Sequence, residues 1–273
     1  KKLEKKSNEL SKEWNFKKKQ IEKIQNIKFD LENAKNELVI AKRNGNWEKA
    51  GELSYQIIPS LDEKLDIFPA ETAGAPIAIF IHGGAWQRGS KENSSFGAEA
   101  FVPKGVTWIA THFTNCPPAT LDEMVRQNRA AIAWVYRNAR DVFGGDPERI
   151  HVLGHSSGGH LSGMMAVTDW EGSYGLPKNL IKGSVCMSGM YDLEAVYLSY
   201  RNRYIQLTEA SYKRVSAIHH IPSGYAPPLI IGCGEFDTEE FHRQPEDFLK
   251  AWKQILGVNL EDLELRLEWK LEW

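Results

Sequence analysis

Hydrophobic positions divide the chain into two regimes. Over the first sixty residues they recur at helical spacing. Leu3, Leu10, Ile24, Leu31 and Leu38 stand in a seven-residue series that only Lys17 breaks, and Trp14, Ile21, Ile27, Ala34 and Ala41 form a second column whose offset shifts partway. The pattern predicts a coiled-coil seam with one discontinuity. Asn44-Gly45-Asn46 ends it, glycine being a natural helix stop, and Trp47, Ala50, Leu53 and Ile57 restart a shorter amphipathic helix that can fold back antiparallel. A helix of about forty residues would span roughly 65 Å, so this rod is expected to project.

From about residue 62 the spacing changes to short apolar runs that alternate with amphipathic segments. Lys64–Phe68, the continuous run Ala75–Ile81, Val106–Phe113, Arg149–Leu153, Gly183–Met187 and Pro228–Cys233 read as strands. Leu121–Arg140, Leu161–Val167 and Gln244–Leu256 read as helices. Such alternation predicts an α/β fold with a mainly parallel sheet flanked by helices on both faces. Residues 190–225 lack clear periodicity and are expected to form a cap. At the end of the chain Leu263, Leu265, Leu267, Trp269, Leu271 and Trp273 alternate with other residues at period two, which predicts a closing strand. The expected organisation is a helical coiled-coil segment over 1–61 and an α/β domain over 62–273.

Composition narrows the function classes. The net charge is −2, yet residues 1–60 carry 14 Lys/Arg against 9 Asp/Glu. These charges interleave at helical spacing, which reads as a solvated helix face rather than a nucleic-acid surface. Three cysteines, Cys116, Cys186 and Cys233, are far apart and follow no C-x-x-C pattern, as expected in a reducing cytoplasm. No apolar run reaches membrane-span length, and the lysine-rich opening has no signal-peptide core. No His/Asp/Glu group has metal-ligand spacing, no G-x-x-x-x-G-K-[ST] loop is present, and no cofactor is expected. The first residue is not methionine, which reads as a fragment or a trimmed chain.

The chemistry concentrates in two short stretches. Gly154-His155-Ser156-Ser157-Gly158 reads G-x-S-x-G between a strand and a helix, the context of a nucleophile elbow. It makes Ser156 the candidate nucleophile and points the Ser157 N–H at a developing oxyanion. His82-Gly83-Gly84-Ala85-Trp86 follows the Ala75–Ile81 strand, where Gly83 and Gly84 would offer further bare N–H groups. Trp86 is read equally as a wall of the acyl pocket or as packing, and His155 flanks the nucleophile. In Gly232-Cys233-Gly234-Glu235-Phe236-Asp237 the candidate acid is Asp237, with Glu235 second.

Two resemblances follow from these residues. His82–Trp86, Gly154–His160, Thr168-Asp169-Trp170, Ser188–Leu193 and Glu239–Gln244 resemble the α/β-hydrolase fold, and within it the kynurenine formamidase and arylformamidase-type esterases, over about residues 64–256. The resemblance implies a cofactor-free serine hydrolase for a small ester or formamide. It places the nucleophile at Ser156, the acid at Asp237 and the oxyanion donors at Gly83, Gly84 and Ser157. Glu13-Trp14, Ile27–Glu32, Ala41–Asn46 and Glu52–Leu61 resemble the middle coiled-coil domain of the disaggregase ClpB, which implies a rod that self-associates or docks a protein partner.

The sequence departs from the hydrolase pattern in one respect. That family's catalytic histidine lies in a loop after the last strand, about thirty residues beyond the acid, whereas the last of the eight histidines here is His242. The hydrolase's own leading strands are expected to be replaced by the rod. The expectation is a hydrolase impaired by a missing base, on a spliced, fragmentary or artificial chain. The alternative is a non-catalytic protein, with a partner-binding rod on an inactive hydrolase-like domain.

Overall fold

A computed structural model describes residues 65–256, together with the helical, exposed positions Glu37 and Ile40. The expected rod, its likeness to the disaggregase segment and the closing strand at 263–273 lie outside the described residues. Six strands form one sheet in the order β1-β3-β2-β4-β5-β6. They are β1 (Leu65–Phe68), β2 (Ala75–Ile81), β3 (Thr107–Thr111), β4 (Gly145–His155), β5 (Ile181–Met187) and β6 (Leu229–Gly232). β1 runs antiparallel to β3, and every other neighbouring pair is parallel.

The apolar run of β2 is buried because the strand lies inside the sheet with both faces covered. Ile77, Ile79 and Ile81 are fully buried and share a core with Ile109, Val152 and Leu161. The opposite face carries Phe80 stacked on Trp108, with ring centroids 5.5 Å apart. Helix α1 (Gly97–Phe101) closes that face. A side chain at Gly97 would enter the Trp108 ring, and the Trp108 indole N–H donates to the Ser94 carbonyl at 3.0 Å.

On the first face lie α2 (Leu121–Phe143) and α3 (Ser157–Ala166). Helix α2 begins where the Thr120 hydroxyl accepts from the Glu123 amide, and it stops at Gly144 in a left-handed conformation. A short helix α4 (Trp170–Tyr174) follows. Between β5 and β6 the expected cap contains short helices: α5 (Glu194–Tyr197), α6 (Asn202–Ile205) and α7 (Glu209–Arg214). Helix α8 (Glu239–Leu256) starts five residues before the expected Gln244 and carries Pro245 within its first turns. No described helix is long and apolar enough to cross a membrane.

Candidate active site

The C-terminal ends of β2, β4, β5 and β6 bring the chemistry-bearing residues to one edge of the sheet. Ser156 sits between β4 and α3 at φ 57°, ψ −124°, a conformation that a non-glycine residue adopts only under strain. Such strain costs about 1–3 kcal/mol and persists where the surroundings over-determine it. Here the Ser156 amide donates to the Met187 carbonyl at 2.8 Å, and the Ser156 carbonyl accepts from the His160 amide at 3.2 Å. A side chain at Gly158 would overlap the carbonyl oxygens of Ile81 and His82, so only glycine lets the turn pass this close to β2. Ser157 opens α3, so its amide has no acceptor within the helix.

The loop after β2 lies directly against this turn. A Cβ built on Gly83 would stand 2.6 Å from the His155 carbonyl oxygen and 3.2 Å from the Ser156 Cβ. Bare backbone therefore faces the serine. The Gly84 carbonyl accepts from the Gln87 and Arg88 amides at 3.0 and 2.9 Å, closing the loop on itself. Ala85 and Trp86 follow at φ 53° and 60°, two more non-glycine residues in the left-handed region. The Trp86 side chain is 4% exposed and its indole N–H donates to His160 Nδ1 at 3.0 Å, which makes the ring part of the packed interior. His82 stacks on Phe113 with centroids 4.2 Å apart and donates from Nδ1 to the Gly83 carbonyl at 2.9 Å. Burial pushes its pKa down.

Asp237 occupies the turn after β6. Its Oδ2 accepts from the Ser188 hydroxyl at 2.7 Å and from the Gly234 amide at 2.9 Å. The Ser188 hydrogen bond is the main cause holding the carboxyl below its usual range, with the Gly234 amide and the nearby His155 and His242 acting in the same direction. Ser188 itself stands at φ 48° where β5 ends, and its amide donates to the Gly232 carbonyl at 2.7 Å. Sequence reasoning passed over Ser188 as a partner of the acid. The available signal was its place: it follows β5 as Ser156 follows β4. Glu235, the second candidate acid, is exposed and has no hydrogen bond to a described residue.

The Ser156 hydroxyl makes no hydrogen bond to any described residue, and three of the histidines, His160, His220 and His242, are engaged elsewhere. His155 is exposed. His160 is 0% exposed with both ring nitrogens occupied. His220 lies against the Lys213 carbonyl at 3.1 Å, and His242 Nδ1 contacts the Cys233 thiol at 3.2 Å. Cys116 and Cys186 are buried thiols pushed up to about 11 and about 12 by desolvation. Among the described residues no group of three or more His, Cys, Asp or Glu could hold a metal ion.

The BD-FAE family model matches residues 65–251. The kynurenine formamidase of Salmo salar is 34% identical over 209 residues, covering 74% of this chain and 69% of that protein. That of Danio rerio is 32% identical over 208 residues, with coverages of 74% and 69%. Among solved structures, the apo form of Thermogutta terrifontis esterase 2 superposes with a TM-score of 0.58 at 26% identity, covering 70% of this chain and 74% of that one.

Proposed function

The chain belongs to the BD-FAE family of α/β-hydrolases, and from that premise we propose that its serine-hydrolase chemistry is directed at small esters or formamides through Ser156. The observation that carries this reading is the strained Ser156 turn lying against the bare Gly83 backbone. A carbonyl placed between them meets a hydroxyl on one side and N–H donors on the other. The formamide class follows from the kynurenine formamidase relatives, and the ester class from the esterase neighbour.

In the proposed cycle Ser156 Oγ attacks the carbonyl carbon and passes its proton to water or to imidazole supplied from solution, which later returns it to the leaving group. The carbonyl π pair moves to oxygen, where the N–H groups of Gly83, Gly84 and Ser157 stabilise the oxyanion. Collapse expels the alcohol or amine, which takes up a proton, and leaves an acyl group on Ser156. Water then repeats the attack and frees the acid. Asp237, held ionised by Ser188 and Gly234, is suited to orient an imidazole that carries the proton.

No described imidazole reaches the Ser156 hydroxyl, so in this reading the serine keeps its proton at neutral pH and is a weak nucleophile. Loss of one triad member costs on the order of 10⁴–10⁶ in kcat in comparable enzymes. Intact-mass labelling with a fluorophosphonate, with and without added imidazole, is the test. Labelling at Ser156 that imidazole accelerates and Ser156→Ala abolishes supports an impaired hydrolase. No labelling of the folded chain under either condition refutes it, and leaves the non-catalytic reading.

A further inference from the structure

The loop that carries Gly83 and Gly84 is braced from a distance. Ala85 and Trp86 are consecutive non-glycine residues at φ 53° and 60°, a conformation that neighbouring contacts must sustain. One brace comes from the loop after β3, the Cys116 amide donating to the Trp86 carbonyl at 2.7 Å. The other two come from the segment between β5 and β6. The Tyr204 hydroxyl, on α6, donates to the Ala85 carbonyl at 3.0 Å across 119 residues of sequence. The second is a chain through a buried histidine. The Trp86 indole N–H donates to His160 Nδ1, and His160 Nε2 lies 2.6 Å from the Val215 carbonyl. An indole N–H only donates and a carbonyl only accepts, so His160 carries its proton on Nε2 and is neutral. Burial of the ring acts in the same sense, lowering its pKa to about 4.

We propose that the segment between β5 and β6 sets the oxyanion loop, with Tyr204 acting on Ala85 and His160 linking Trp86 to Val215 as positioning residues for the acyl-transfer step. The positioning role rests on the assignment of Gly83 and Gly84 as oxyanion donors; the brace itself does not. The Ala85 carbonyl belongs to the Ala85–Trp86 peptide, so the Tyr204 hydroxyl fixes the plane that immediately follows the Gly83-Gly84 donors. Releasing the Ala85 carbonyl lets the left-handed pair relax and moves the N–H groups away from where the oxyanion forms. Displacements of this order are felt in the transition state before they are felt in ground-state binding.

The decisive variant is Tyr204→Phe, which removes one hydroxyl and keeps the ring. Amide hydrogen exchange over residues 83–88 is expected to accelerate about tenfold, since the Gln87 and Arg88 amides are held by the Gly84 carbonyl of this loop. In fluorophosphonate labelling of Ser156 with added imidazole, the maximal rate is expected to fall about tenfold while the half-saturating concentration stays within about twofold. His160→Leu is expected to act in the same direction. His160→Gln, which keeps an acceptor and a donor, should stay near the parent chain. Unchanged exchange in Tyr204→Phe overturns the brace, and faster exchange with an unchanged labelling rate overturns the positioning role. If the parent chain does not label at all, the hydrolase reading and the positioning role fall together, and the exchange measurement still decides the brace.

Discussion

Acidification singles out His160. The ring is fully buried and its folded-state pKa is lowered to about 4, chiefly by desolvation. In the unfolded chain it returns to about 6.5. Between those values the unfolded state binds a proton that the folded state refuses, so stability falls as pH drops from about 6.5 to about 4. Over the whole interval, at about 1.4 kcal/mol per unit, the loss approaches about 3 kcal/mol. Between about pH 7 and about pH 4.5 it is about 2 kcal/mol. His82 and His151 are shifted the same way, so the total decline of the parent chain exceeds the share of His160. The carboxyls of Asp146, Asp237 and Glu240 are shifted down, so their contributions are lost only as pH falls through those lower values. Urea unfolding at about pH 7 and about pH 4.5, compared with His160→Gln, isolates the buried ring. The variant should lose about 2 kcal/mol less than the parent chain. An equal loss in both proteins would refute the neutral, doubly engaged His160 described above.

Other substitutions probe the same architecture. Gly158→Ala forces a Cβ into the Ile81 and His82 carbonyls, and should cost more than about 3 kcal/mol in thermal or urea unfolding. Leu161→Ala, at a side chain with 0% exposure, should cost about 2–5 kcal/mol by the same assay. Ser188→Ala removes the main hydrogen bond on Asp237, so the carboxyl should titrate at higher pH when followed by carboxyl-resolved NMR. Arg243 bonds Glu240 and Asp247, which pushes its pKa up, yet its side chain is 48% exposed. Arg243→Ala should therefore change stability by less than about 1 kcal/mol.

What could be read in the sequence followed the strength of the local signal. β2 is an uninterrupted apolar run, and its observed limits, Ala75–Ile81, match the expected ones. Gly158 is required by the Ile81 and His82 carbonyls and Gly154 by the Gly158 carbonyl, so the motif and the geometry are one constraint. β4 begins at Gly145, earlier than expected, because Asp146, Pro147 and Glu148 hide it; the pairing with β2 slips between Ala75 and Ile77 at that point. The first turn of α8, Glu239–Arg243, is charged and partly exposed, so its apolar periodicity starts only near Gln244. The helices of the cap are four to six residues long, too short for a period to register. Trp86 was open between pocket wall and packing, a choice that depends on His160, 74 residues away. The same holds for Ser188 and Asp237, whose pairing is a property of the fold.

The strand order has a consequence for the newly made polypeptide. β2 and β3 can pair as soon as residues up to 111 have left the ribosome, and β1 can add to β3 at the same stage. The other edge of β2 receives β4 only after about 40 further residues have been synthesised. Until then Ile77, Ile79 and Ile81 sit on an open strand with unsatisfied amides and carbonyls, the arrangement most prone to pairing with another chain. The β2 edge is closed against other chains only once the Gly145–His155 segment has paired along it.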